Sequence, residues 1–242
     1  MNLENTKRIV IKIGSSLLFQ EDNNKLNEKW LLSLAQDIHY LNEKNKEVII
    51  VTSGAIALGA KDLDLDKNEM KLDINQAISS VGQIHLMSSY KKAFEKNELK
   101  ISQILLTLDD TEQRRRSINA RRTIDTLLKM GIVPIVNEND TIATSEIKYG
   151  DNDRLASRVA QITSSDCLIL LSNVNGLYSS DPKNNDKIKL ISEITEINKD
   201  IEKMVGNSVS KLGKGGMKTK ILAAKTAMSA GCHMAITNGT IN

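Results

Sequence analysis

Ile132-Val133-Pro134-Ile135-Val136 runs directly into Asn137-Glu138-Asn139-Asp140, and the polar stretch continues as far as Gly150-Asp151-Asn152-Asp153. The apolar, β-branched run reads as a buried strand. Five carboxylates then fall within residues 134–153, namely Glu138, Asp140, Glu146, Asp151 and Asp153. Open α/β folds place ligands in the crevice beyond the carboxyl ends of their strands, so acids and amides gathered where a strand runs out mark a polar site at a sheet edge. A solvated acidic turn has the same composition, and the segment taken alone leaves both readings open.

Outward from this strand the same alternation recurs. Residues 8–13, 47–51, 101–107, 167–171 and 233–237 read as strands. The wholly apolar run at 167–171 has the pattern of a strand covered on both faces. Between them, Trp30, Leu31, Leu34, Ala35, Ile38 and Leu41 recur at helical spacing, and Ile74, Ala77, Ile78 and Val81 begin a second long helix. Further helices are expected over 111–129, 155–162 and 217–230, with a turn at Asn175-Gly176. Strand alternating with helix throughout predicts an α/β fold, a three-layer α/β/α sandwich around a mostly parallel sheet. Residues 183–207 are polar and less regular, and read as a lid or a small edge hairpin. No repeat or linker divides the chain, so residues 1–242 are expected to form a single domain.

Composition excludes several classes. Thirty-three Lys and Arg against 30 Asp and Glu leave +3, too little to argue for nucleic acid or a membrane surface. Five arginines within 114–122 lack aromatic company and read as a solvated or salt-bridged helix face. Cys167 and Cys232 sit beside apolar runs and read as buried reduced thiols. His39, His85 and His233 have no metal-ligand spacing, so no protein-held metal is expected. The N-terminal segment lacks a signal-peptide pattern and no run is long enough to span a bilayer, which predicts a cytoplasmic protein.

Three glycine turns carry the chemistry. Ile11-Lys12-Ile13-Gly14-Ser15-Ser16 puts a lysine inside an apolar strand, costly unless an anion meets it, although on this segment alone an edge strand with Lys12 facing water is the slightly better reading. In Val51-Thr52-Ser53-Gly54-Ala55 a strand ends in small residues. There Ser53 is either an N-cap or a donor to a substrate carboxylate. Leu212-Gly213-Lys214-Gly215-Gly216-Met217-Lys218-Thr219-Lys220 opens the last helix, where free N–H groups suit an anion. Lys218 and Lys220 in its first turn run against the helix dipole, which makes sense if a phosphate supplies the missing charge. Neither a Walker A motif nor a dinucleotide fingerprint is present.

Taken in this order, the segments resemble the amino acid kinase superfamily, and within it the glutamate 5-kinase family, over nearly the whole chain. Residues 51–55, the Asn-Glu-Asn-Asp run, the Gly-Asp-Asn-Asp run and 215–220 carry the likeness. The resemblance implies a substrate lobe followed by a nucleotide lobe, with ATP-dependent phosphorylation of the γ-carboxylate of L-glutamate. It places Lys12 and Lys220 on either side of the transferring phosphoryl, with Asp153 orienting both. Ser53, Asp140 and Asn152 would hold glutamate, Asp140 by its ammonium. Lys12, Ser172, Asn173, Lys214, Gly215, Gly216, Met217, Lys218, Thr219 and Lys220 would line the ATP site. Proline as feedback inhibitor and assembly as a dimer or tetramer are implied in the same way. Three departures stand out: Ser172-Asn173 replaces the Thr-Asp of relatives, the C-terminal PUA domain of many members is missing, and the sequence stops at Asn242 where relatives add a last short strand, so it reads either as a naturally short form or as a trimmed one. A sensor without catalysis, or a kinase of the same fold with another acceptor, fits the same residues.

The acceptor chemistry asks little of the protein. A γ-carboxylate has an unperturbed pKa of ~4.3 and is already ionised at neutral pH, so no general base is needed. The obstacle is one anion approaching another. Lysines, backbone amides and Mg²⁺ held mainly by the nucleotide phosphates would meet it.

Overall fold

The computed structural model describes residues 3–20, 26–65, 71–143, 152–179, 189–206 and 216–240. Its strands are β1 (Arg8–Ile13), β2 (Glu47–Val51), β3 (Lys100–Leu106), β4 (Ile132–Glu138), β5 (Cys167–Ser172) and β6 (His233–Asn238). The helices are α1 (Ser15–Leu18), α2 (Glu28–Glu43), α3 (Ala55–Asp62), α4 (Leu72–Glu95), α5 (Leu108–Glu112), α6 (Arg114–Lys129), α7 (Asn152–Ile162), α8 (Lys199–Gly206) and α9 (Met217–Ser229). The strands form one sheet in the order β3-β4-β2-β1-β5-β6, with every neighbouring pair parallel.

Alternation along each strand divides the core into two layers. Ile9, Ile11 and Ile13 of β1 face α1, α2 and α4, joined by Val48, Ile50, Val133 and Ile135. Val10 faces α6, α7 and α9, joined by Ile49, Val51, Val136, Leu168 and Leu170. Lys12 shares the parity of Val10 and therefore points toward α7 and α9. Its backbone lies between Val51 of β2 and Leu170 of β5. The edge-strand reading of Lys12 is thus overturned: β1 is an interior strand, and the lysine is 7% exposed.

Four local expectations change. The helix read over 111–129 is two helices, broken at Gln113, whose backbone is extended. A capping box between Thr107 and Asp110 starts α5 early and sets this break. On α4, Ile74 is 42% exposed, and the buried stripe runs instead through Asn75, Ile78, Ser79, Gly82, Gln83, Leu86 and Tyr90. β4 continues past Val136 to Glu138 because β3 pairs with it to the end. The N-cap of α3 is Gly54 in the left-handed region (φ 101°), so Ser53 does not cap it.

The region at 183–207 falls partly outside the described residues. What is described there comprises an antiparallel bridge between Tyr178 and Leu190, then α8. Ile191, Ile194, Ile197 and Ile201 pack on Leu177 and Ile221, a third small core laid over α9. Arg114, Arg115, Arg116, Arg121 and Arg122 are exposed, with Arg116 paired to Asp110 and Arg121 to Asp125. Both cysteines are buried and free. Among the described residues no helix is long and apolar enough to cross a membrane.

Candidate active site

β1 carries Lys12 into the centre of the sheet, and α7 begins with Asn152 and Asp153 just beyond the carboxyl ends of the strands. Lys12 Nζ lies 2.6 Å from Asp153 Oδ1, and Lys220 Nζ lies 2.9 Å from Asp153 Oδ2. Each carboxylate oxygen therefore faces one ammonium group. Asp153 has no exposed surface, and Lys220 is 6% exposed. Burial pushes the Asp153 carboxyl up, but the two lysines outweigh it and hold the group below the usual carboxylate range. An aspartate in the first turn of α7 is also favoured by the helix dipole, whereas Lys220 in the first turn of α9 is not. The charge that offsets this placement comes from Asp153 within the fold. The Thr219 hydroxyl lies 3.0 Å from Asp153 Oδ2 and 2.8 Å from the Gly216 carbonyl.

The first glycine turn lies beside this cluster. The Gly14 N–H donates to the Leu171 carbonyl at the end of β5, which leaves Ser15 and Ser16 as the first-turn amides of α1. Ser172 follows Leu171 and is buried, and its carbonyl accepts from Gly239, whose own carbonyl accepts from Trp30 Nε1. Asn173 and Lys218 are exposed, Gly216 and Met217 are half-buried, and Lys214 and Gly215 lie outside the described residues. Of the nucleotide residues expected from the sequence, Lys12, Thr219 and Lys220 all meet Asp153.

The acceptor side is built by β2, β4 and α4. The Ser53 hydroxyl donates to the Ile13 carbonyl at 3.2 Å, turning toward β1. Asp140 is half-buried and accepts from Ser79 at 2.6 Å. Burial raises its carboxyl above the ordinary range, and the Ser79 bond offsets this only in part. Asp140 lines a groove of about 420 Å³ together with Ser79, Gln83, Gln103, Glu138 and Asn139. Asn152 Nδ2 donates to the Thr52 carbonyl at 2.5 Å and to Asn137 Oδ1 at 3.2 Å, and Asn137 Nδ2 donates to Gln83 Oε1 at 2.8 Å. This buried run of amides joins α4, β4, α7 and the residue after β2, and the sequence reading missed Gln83 and Thr52 in it and Ser79 beside it. Its trace was present, since Asn75, Ser79 and Gln83 recur every four residues on a face that is otherwise apolar. Gly150 and Asp151 of the Gly-Asp-Asn-Asp run, and residues 144–149 before it, lie outside the described residues.

A parallel sheet with two lysines clamped on one carboxylate at its carboxyl edge is an arrangement for handling an anion. Residues 7–238 match the amino acid kinase family, and the chain belongs to that family. Among curated relatives it is 60% identical over 242 residues to glutamate 5-kinase of Pelagibacter ubique (strain HTCC1062), an alignment covering 100% of this chain and 66% of that protein. To glutamate 5-kinase of Ruegeria sp. (strain TM1040) it is 50% identical over 239 residues, covering 99% of this chain and 65% of the relative. The chain thus spans about two thirds of the length of these relatives. Among solved structures, a carbamate kinase from Giardia lamblia bound to AMP-PNP superposes with a TM-score of 0.68 at 17% identity, covering 98% of this chain and 94% of that one. A UMP kinase from Ureaplasma parvum gives 0.62 at 20% identity, covering 96% and 90%. At such identities these structures establish the fold alone.

Proposed function

We propose that this chain transfers the γ-phosphoryl group of ATP to the γ-carboxylate of L-glutamate, forming L-glutamyl 5-phosphate in the first step of proline synthesis. The observation that carries the reading is the Lys12–Asp153–Lys220 cluster, two buried cations held from different elements on one carboxylate. Phosphoryl transfer needs positioning and charge stabilisation more than covalent chemistry, and cations aimed at the developing charge supply both. Glutamate as the acceptor is supported by the names of relatives at 50–60% identity along nearly the whole of this chain.

In this reading Lys12 and Lys220 stabilise the transferring phosphoryl, and Asp153 keeps both in place. Ser53, Asp140 and Asn152 hold glutamate, with the Asp140 carboxylate on its ammonium. Ser172, Asn173 and residues 214–220 meet the nucleotide, which divides the domain into a substrate lobe and a nucleotide lobe. Among the described residues no group of three acidic, histidine or cysteine side chains is placed to hold a metal ion, and both Asp153 oxygens face lysines. This set suits Mg²⁺ that enters with the nucleotide on phosphate oxygens and waters, neutralising part of the triphosphate charge. Proline shares the α-carboxylate and ammonium of glutamate but lacks the acceptor carboxylate, so it would occupy the site unproductively. A cytoplasmic homo-oligomer belongs to the same proposal.

ADP release in a coupled assay with glutamate, aspartate or N-acetylglutamate tests the reading. Turnover that depends on glutamate and exceeds that with the other two is the expected result. Equal ADP release with and without glutamate, or a preference for N-acetylglutamate, would overturn it. Proline inhibition that rising glutamate cannot relieve would remove the shared-site account of feedback.

A further inference from the structure

We propose that Gln83 is a specificity-determining residue, its Nε2 donating to the α-carboxylate of the amino-acid acceptor in the groove beside Asp140. Gln83 is 8% exposed, and among the described residues Nε2 meets no hydrogen-bond partner. A buried donor left unpaired is costly, and such a group in a groove points to a ligand that completes it.

The direction of this donor follows from the amide run. The Thr52 carbonyl can only accept, so Asn152 must turn Nδ2 toward it. That same nitrogen reaches Asn137, which must therefore present Oδ1 to it and Nδ2 to the far side. Asn137 Nδ2 in turn requires Oε1 of Gln83, which leaves Nε2 as a buried donor without a partner among the described residues. One backbone carbonyl just past β2 thus sets the polarity of three side chains, and the run ends in the unpartnered donor of Gln83, a residue that lines the groove. Asp140 and Glu138 line the same groove. An unpartnered amide donor in a groove that also holds the Asp140 and Glu138 carboxylates complements a zwitterion, its carboxylate on Gln83 and its ammonium on the acids.

The inference rests on the acceptor being an amino acid, as proposed above. The carboxylate that takes the phosphoryl must reach Lys12 and Lys220. Gln83 is separated from Asn152, the neighbour of Asp153, by the whole Asn137 side chain. It therefore meets the other carboxylate, at the far end of the substrate.

Gln83→Glu keeps the length and the oxygen that Asn137 needs, and replaces only the unpartnered donor with an oxygen. Gln83→Met removes the amide altogether. Both variants are expected to raise the glutamate KM by about tenfold to a hundredfold, the range of a lost hydrogen bond to a charged group, with the ATP KM and kcat little changed. Affinity for 4-aminobutyrate, which is glutamate without its α-carboxylate, should differ little between wild type and Gln83→Met. A glutamate KM within twofold of wild type in both variants would overturn the assignment. So would equal weakening of glutamate and 4-aminobutyrate, since that pattern belongs to a residue that merely props up Asn137. Should neither variant fold, the side-chain amide resonance of Gln83 in wild-type protein decides: it must shift with glutamate and not with 4-aminobutyrate. Wild-type turnover of glutamate tests the kinase reading by itself, so its absence and a failure at Gln83 are distinguishable.

Discussion

At the scale of single residues, Asp153 and Asp140 are opposite cases. Both are carboxylates drawn away from water, but Asp153 meets two ammonium groups and the Thr219 hydroxyl, whereas Asp140 meets the Ser79 hydroxyl. The depressed Asp153 carboxyl stabilises the fold at every pH above its unfolded value, roughly 3.9, and that contribution is lost as pH falls through the lower folded value. Asp153→Asn should therefore be less stable than wild type by about 3–5 kcal/mol at pH 7, because two buried lysines lose their partner. The deficit should shrink below about pH 4, which urea denaturation at pH 7 and pH 3 measures. Lys12→Ala or Lys220→Ala should lower kcat by roughly a hundredfold to a thousandfold, about 3–4 kcal/mol of transition-state charge stabilisation, in steady-state assays. A rise in KM alone, with kcat retained, would place these lysines on ground-state phosphate. At Asp140 the folded-state carboxyl is raised, so its ionisation opposes folding as pH climbs from the unfolded value through the folded one. Asp140→Asn should raise the glutamate KM far more than the ATP KM, while its thermal midpoint at pH 7 is no lower than wild type. A clear fall in that midpoint would show that Asp140 holds the fold together.

At the scale of elements, the pairing of α3 with α4 decides where the acceptor groove lies. A Cβ on Gly59 would come within 1.9 Å of the Ile78 carbonyl, and one on Gly82 within 1.8 Å of the Ala55 carbonyl. The two helices therefore cross with their backbones touching, and no side chain can yield to make room. Gly59→Ala or Gly82→Ala should cost at least the 1–3 kcal/mol usual for overpacking, and a wild-type urea midpoint in either variant would refute the close crossing. Both substitutions should also raise the glutamate KM, since α4 carries Ser79 and Gln83 and α3 starts at the left-handed Gly54. The helix that Ile74, Ala77, Ile78 and Val81 announce is present, and of these four Ile78 is the one that the crossing buries. The buried stripe mixes apolar residues such as Ile78, Leu86 and Tyr90 with Gly82 at the crossing and with Asn75, Ser79 and Gln83, which carry no hydrophobic signal. In α2, with an ordinary apolar stripe, Trp30, Leu31, Leu34, Ala35 and Ile38 are buried as the spacing predicts.

At the scale of the whole molecule, Cys167 on β5 and Cys232 just before β6 report on the intact sheet. Burial, reinforced by nearby Asp166, pushes the Cys167 thiol to about 11. Burial, with Cys167 and Asp166 adding to it, pushes Cys232 to about 12. The thiolate is the reactive form, so both should resist iodoacetamide at pH 8 in the folded protein and react in step with unfolding by urea. Alkylation in native buffer at the rate of a free thiol would show that the β5–β6 side opens separately. The sequence by itself determined the alternation of strands and helices, the glycine turns and the family likeness, because periods of 2.0 and 3.6 residues and the backbone freedom of glycine are local properties. It also marked Lys12, Asp153 and Lys220 as chemistry-bearing through motifs. Only the tertiary structure decided that β1 lies inside the sheet, which turned Lys12 from a residue facing water into one buried against Asp153. Only it joined Gln83, Asn137, Asn152 and Thr52 into one run, because hydrogen bonds between residues far apart in the chain depend on how the elements cross, and no local pattern records a crossing.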